Sequence, residues 1–267
     1  MEFLEKLSKD EVKMEGKLEQ SFFDEQTSEY ISILKEYTQI KIIKNLFPFY
    51  SLKSNKQYFE KGLSIMEKIV DNLNPWASPY LMDMLIEIMN NSVRFEKEYA
   101  YKVMLYLVKK NPDQIKICMP TLVPLLASDV NDVNVNVKNV ASEVLELVLH
   151  CSGNADLNTF IPIVLKGLKD PSIIYDAVES LASCVFVQNV EAPALSITTP
   201  ILLRGLNDKK TATKRLTCII IDNMCKLIEH PKEILPFYAK LKERLEMDSE
   251  TISDPEARNV SNRTLNT

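Results

Sequence analysis

Residues 200–244 hold ten bases and five acids, and five of the bases stand close together: Arg204, Lys209, Lys210, Lys214 and Arg215. Lysine and arginine at that density can contact nucleic-acid phosphates, each contact releasing counterions and making the binding sensitive to salt. The alternative is a solvated turn whose cations serve the chain itself, with Lys214 paired to Asp208. No RRM or KH motif is present, so base-specific readout is not indicated. Bulk charge does not help such a contact. The net charge of −5 is accounted for by residues 1–30, with nine acids against four bases, and the remainder balances, so any nucleic-acid contact must be a local patch.

Other chemistries are poorly supplied. The five glycines (16, 62, 153, 167, 205) are too scattered for a P-loop, a dinucleotide fingerprint or a kinase glycine loop. His150 and His230 are the only histidines, which excludes HExxH and leaves no Ser–His–acid arrangement. His150 beside Cys151 is no dyad, because adjacent helical residues face different ways. Cys218 and Cys225 lie on one helix face, but a metal needs two further ligands there, so they read as small buried side chains. The odd cysteine count without a CxxC suits reduced thiols. Trp76 follows Asn74-Pro75 and is expected to anchor a helix start.

The elements that carry these residues are helical throughout. Leu216, Ile219, Ile220, Met224, Leu227 and Ile228 recur at i, i+3, i+4 spacing. The alternating VNDVNVNV (130–137) reads as a loop running into a helix, since Asn and Asp are poor strand residues. Five stretches begin alike, at Pro79, Pro120, Pro162, Pro200 and Pro236, separated by 41, 42, 38 and 36 residues. Leu85, Leu126, Leu168 and Leu206 each fall six positions after a proline, and proline fits a first helical turn. Two helices per period of this length is the pattern of HEAT and armadillo repeats.

HEAT repeats also place an Asp in the intra-repeat turn six residues before a base. Asp132 precedes Lys138 and Asp208 precedes Lys214, whereas Asp170 precedes Asp176. These pairs are candidates for a ladder holding repeats in register, as are Asp222 and Asn223, which interrupt a buried helical pattern and need partners, Lys226 at i+4 being one for Asp222. The expected fold is all-α, a right-handed α-solenoid of about six HEAT-type helix pairs. Residues 1–75 form degenerate and capping helices, including a capping helix over 2–19 and a pair near 40–50 and 57–73. Residues 76–267 form the regular units, and 1–267 make a single domain. In DPEAR, Asp254 is a good N-cap and Pro255 suits the first turn.

The segments LLRGLN (202–207), KR (214–215), IIDNMCKL (220–227), PFYAKL (236–241) and DPEAR (254–258) resemble the N-terminal HEAT domain of translation elongation factor three, a ribosome-dependent ABC ATPase. MPTLVPLL (119–126) and FIPIVLKGLKDP (160–171) are similar to it more loosely. A related segment occurs in the large HEAT protein that activates the amino-acid-starvation kinase. The resemblance implies a module that docks on the ribosome. The ABC cassettes that follow it in the family have no counterpart here, so no cofactor and no catalytic residue are expected in this chain.

The expected function is therefore ribosome binding through a basic edge near 204–215. Its partners would be ribosomal RNA and ribosomal proteins, with other translation factors possible. The alternative is a protein–protein scaffold without RNA contact, similar to the starvation-kinase activator or to transport HEAT proteins. No membrane partner, small-molecule substrate or metal is expected. The N-terminus has no signal-peptide pattern and no apolar run approaches ~18 residues, so a cytoplasmic location follows.

Overall fold

The computed structural model describes residues 35–50, 56–91 and 94–267. The expected capping helix over 2–19 lies outside them. Among the described residues there is no strand, and twelve helices longer than two turns follow one another. They are α1 (Glu36–Tyr50), α2 (Lys56–Asn72), α3 (Ser78–Asn91), α4 (Arg94–Lys110), α5 (Met119–Asp129), α6 (Val135–His150), α7 (Ile161–Lys169), α8 (Ile174–Ala182), α9 (Ala192–Leu206), α10 (Thr211–Cys225), α11 (Leu235–Thr251) and α12 (Pro255–Leu265). In chain order they make six pairs, and the fold is all-α. VNDVNVNV is the expected turn and helix start, with Val133 and Val135 exposed.

Two compact units contain these helices. The first holds the described residues up to Cys118 together with Asp132–Leu147. Its core includes Phe47 and Tyr99, whose rings meet edge to face with centroids 5.0 Å apart. Buried Asn111 donates from its side-chain amide to Ser78 Oγ at 2.9 Å, which satisfies two polar groups inside that core. The second unit holds Met119–Asn131 and Val148–Thr267. It carries the basic cluster, and the rest of the site description concerns it.

The repeat signal has a plain structural meaning. Leu85, Leu126, Leu168 and Leu206 are each fully buried, so the leucine six positions after the proline is a core position in every case. Pro79, Pro120, Pro162 and Pro236 sit in first helical turns. Pro200 does not: α9 starts at Ala192, two turns earlier, and Pro200 lies inside it. A proline there forfeits a helical hydrogen bond. The helix runs through because residues 193–199 are all buried and their packing outweighs the lost bond. Two hydroxyls of that stretch bond back to the helix, Ser196 Oγ to Ala192 O at 2.7 Å and Thr198 Oγ1 to Ala194 O at 3.3 Å, while the buried Thr199 Oγ1 has no partner.

Gly167 and Gly205 hold equivalent positions just before two of these leucines. A Cβ on Gly167 would stand 3.0 Å from both Ala177 Cβ and Ile201 Cδ1. A Cβ on Gly205 would collide with the Thr217 hydroxyl and stand 3.0 Å from Val178 Cγ2. Bare backbone at these two points allows neighbouring helices to approach closely.

The intra-repeat aspartates are turn formers. The side chains of Asp132, Asp170 and Asp208, each 38 residues apart, accept the backbone N–H two residues on, from Asn134 at 2.7 Å, Ser172 at 2.8 Å and Lys210 at 3.0 Å. Asp254 does the same for Glu256 N at 3.2 Å, as an N-cap should. This explains why the repeat with Asp176 in place of a base folds like the others. The aspartate acts on its own turn and does not need that partner.

Candidate nucleic-acid interface

The turn 207–210 joins α9 to α10 in the second unit and carries Lys209 and Lys210, both exposed. Asp208 shapes it through the bond to Lys210 N. Lys210 Nζ stands 5.2 Å above the Tyr175 ring, near the start of α8, a cation–π contact that leaves the lysine in solvent. Arg215, on α10, is half-exposed and bonds Glu256 Oε1 at 2.6 Å. That ion pair is exposed on both sides and so is worth little, which keeps Arg215 available to a phosphate.

The other two members of the basic cluster are committed inside the unit. The Arg204 guanidinium donates to Leu168 O at 2.7 Å, Gly167 O at 2.9 Å and Ala127 O at 3.3 Å. It closes the C-terminal carbonyls of α7 and also reaches α5, where a cation complements the helix dipole. Burial lowers its pKa. Lys214 does not pair with Asp208. Its ammonium bonds Asp248 Oδ1 at 2.7 Å, and the carboxylate is fully buried. Both residues are thus corrected from surface contacts to internal ties. A long cationic side chain can turn inward where a neighbouring helix offers a buried oxygen in need of a donor.

The register candidates also move. Asp132 lies 4.0 Å from Lys97 and has no ion pair with Lys138, which is exposed on α6. The cations are fourth in their helices, Lys97 in α4 and Lys214 in α10. Each reaches an aspartate 35 or 34 residues later, in the following repeat. Asp222 is buried as expected, with Lys226 at 2.8 Å, Arg263 at 3.3 Å, and Thr267 Oγ1 donating at 2.6 Å. Asn223 is exposed, on the outer side of α10, so it interrupts no core. Trp76 is corrected too. Its backbone N–H bonds the Asn74 cap at 3.1 Å, but the indole is 73% exposed and anchors nothing.

Burial pushes the Asp222 carboxyl up, and Lys226, Thr267 and Arg263 together outweigh it, leaving the pKa below the ordinary value. A depressed folded-state pKa contributes stability above the unfolded-state pKa and loses it as pH falls through the folded one. Asp222→Asn is therefore expected to flatten the loss of stability below about pH 4, measured as urea midpoints at pH 7, 4 and 3. An unchanged acid slope would show that the carboxylate is not held as charged.

Several internal ties carry no motif of their own. Arg244 bonds Leu206 O through Nε at 3.3 Å and Nη2 at 3.1 Å, and Asp248 at 3.2 Å. Asn131 donates to Leu168 O at 3.0 Å. Thr264 Oγ1 donates to Cys218 O at 3.1 Å and Ser261 Oγ to Leu245 O at 2.9 Å, seating α12 on its neighbours. Two of them, Arg244 to Leu206 and Asn131 to Leu168, join residues 38 and 37 apart, about one repeat length.

Burial pushes the Cys218 thiol up to about 11, away from thiolate reactivity. An open groove of about 560 Å³ lies among α10, α11 and α12, lined mainly by apolar side chains such as Ile221, Ile234 and Leu241. Among the described residues, no three His, Cys, Asp or Glu side chains converge to hold a metal ion, and no helix is long and apolar enough to cross a membrane.

Comparison with known proteins covers most of the chain. Residues 34–145 match the family described as EF3 N-terminal HEAT repeat, and residues 173–267 match the Elongation factor 3/GNC1 HEAT repeat. Elongation factor 3 of Pneumocystis carinii is 37% identical over 76% of this chain. Elongation factor 3A of Saccharomyces cerevisiae is 36% identical over 74%, and elongation factor 3 of Phytophthora infestans 35% over 73%. The chain spans about a fifth of the length of these relatives, and its match is to their HEAT repeats, not to an ATPase region. With its helix pairs, buried repeat leucines and two matched segments, this chain belongs to the N-terminal HEAT-repeat region of the elongation factor 3 family.

Proposed function

We propose that this chain is a ribosome-binding module of an elongation-factor-three-like translation factor, working in the cytoplasm and touching rRNA phosphate through Lys209, Lys210 and Arg215. The observation that carries the reading is the exposure of the Lys209–Lys210 turn in a chain of this family. The aspartate-built turn holds the two ammonium groups outward, and Tyr175 steadies one of them. Arg204 and Lys214 do not take part, because their charges are used internally. The module does no chemistry and needs no cofactor of its own; it positions whatever is attached to it.

Three cations predict a shallow salt dependence, a slope of about −2 to −3 in log K against log salt, from ~0.7–0.9 per phosphate. Pelleting with purified eukaryotic ribosomes at rising salt measures it. Lys209→Glu with Lys210→Glu is expected to weaken retention at least tenfold at low salt while leaving the melting midpoint unchanged. Retention indifferent to that reversal would replace the RNA contact with the protein-scaffold reading, in which the same module binds a protein surface.

A further inference from the structure

In the first unit, α1 and α3 lie side by side and enclose an open groove of about 430 Å³. Each helix turns a comparable face to it. Tyr37 stands on one wall and Tyr80 on the other, and they are 77% and 71% exposed. At one end Lys44 bonds both oxygens of Glu87, at 3.2 and 3.1 Å, which neutralises that pair. Lys41 also lines the groove and already has an interaction of its own. Asp83 is different. It lies in the same groove, three residues from Tyr80, and among the described residues no cation pairs with it.

We propose that this groove receives a cationic side chain, arginine or lysine, from a basic segment of a partner protein. A tyrosine ring on each side of the groove can contact a flat or compact cation, and such contacts gain when the cation also meets a carboxylate. Single exposed tyrosines are ordinary on a surface. Two of them sharing a groove with an acid that has no ion pair make a combination suited to a cation. Asp83 is exposed, and partial desolvation in the groove still raises its pKa, the direction for a carboxylate with no counter-charge beside it. Of the four charges in the lining, Asp83 is the one without an ion pair among the described residues, so the unmet charge is negative and favours a cation over a phosphate. The proposal is independent of the Lys209–Lys210 contact, which lies in the other unit and takes the opposite charge.

The test uses the full chain and a fluorescein-labelled arginine-rich nonapeptide, read by anisotropy at low salt. Trp76, the only tryptophan, sits four residues before Tyr80 and gives a second, intrinsic readout. Asp83→Asn is expected to weaken binding roughly threefold, and Tyr37→Ala with Tyr80→Ala roughly threefold again. Glu250→Gln, an exposed acid of the second unit, should change nothing, and a citrulline version of the peptide should not bind. Because Asp83 and both tyrosines are exposed, unchanged melting midpoints verify folding, and the Asp83→Asn result stands alone if a tyrosine variant fails. Equal effects of Asp83→Asn and Glu250→Gln would overturn the proposal by reducing the binding to bulk charge. So would a uridine oligonucleotide whose binding is lost with the tyrosines, since that marks an RNA stacking surface.

Discussion

Replacing Asp248 with alanine is expected to cost about 3–5 kcal/mol of stability, the range for breaking a buried ion pair from one side. In a domain of this size that is a fall of roughly 10 °C in the melting midpoint. Asp248 is wholly buried, and Oδ1 accepts from Lys214 at 2.7 Å and Arg244 at 3.2 Å. Lys214 and Arg244 have side chains only 14% and 22% exposed. Without the carboxylate, two poorly solvated cations face each other across a helix junction. The burial penalty for those cations, and not the lost attraction alone, makes the effect large. Lys214→Met combined with Asp248→Leu removes the closer pair and leaves Arg244 its bonds to Leu206 O, so it should recover part of the loss. Thermal and urea unfolding of the three proteins decides it; a cost below about 1 kcal/mol for Asp248→Ala would mean the pair behaves as a surface salt bridge.

Arg204→Ala is the second large effect, expected at about 2–3 kcal/mol, as for a charged donor lost from buried acceptors. Three carbonyls, from Ala127, Gly167 and Leu168, lose their shared partner, and Leu168 O keeps Asn131 as a donor. Arg204→Lys should rescue little, because an ammonium cannot fork between carbonyls on two helices. The same variant separates structure from binding. It should lower the melting midpoint and leave the salt slope of ribosome retention unchanged, whereas Lys209→Glu with Lys210→Glu should do the reverse. A steep loss of retention in a stable Arg204→Ala protein would return Arg204 to the binding surface.

The helices were readable in the sequence because burial repeats along each one. Prolines at regular separation and a leucine six positions on located core sites that the structure finds fully buried, and the Asp254 cap and the 130–137 loop were equally local. Pro200 shows the limit: its spacing predicts a helix start, but two earlier turns are buried and the helix extends through it. Among the site residues, Lys209 and Lys210 kept their expected exposure since a tight turn leaves long side chains nowhere else to go. Arg204 and Lys214 looked the same in sequence and were not.

That difference marks what each level determines. The order of amino acids by itself sets the helical period, the repeat length, the turn-forming aspartates and the supply of cations near 204–215. All of these depend on residues within a few positions of one another. Which cations remain free for a partner is decided only by the tertiary structure. The oxygen atoms that claim Arg204 and Lys214 sit 34 to 77 residues away, on helices brought alongside by apolar packing. Charge alone carries no information about that distance, and the competition between water and a buried carbonyl or carboxylate is settled where the helices meet.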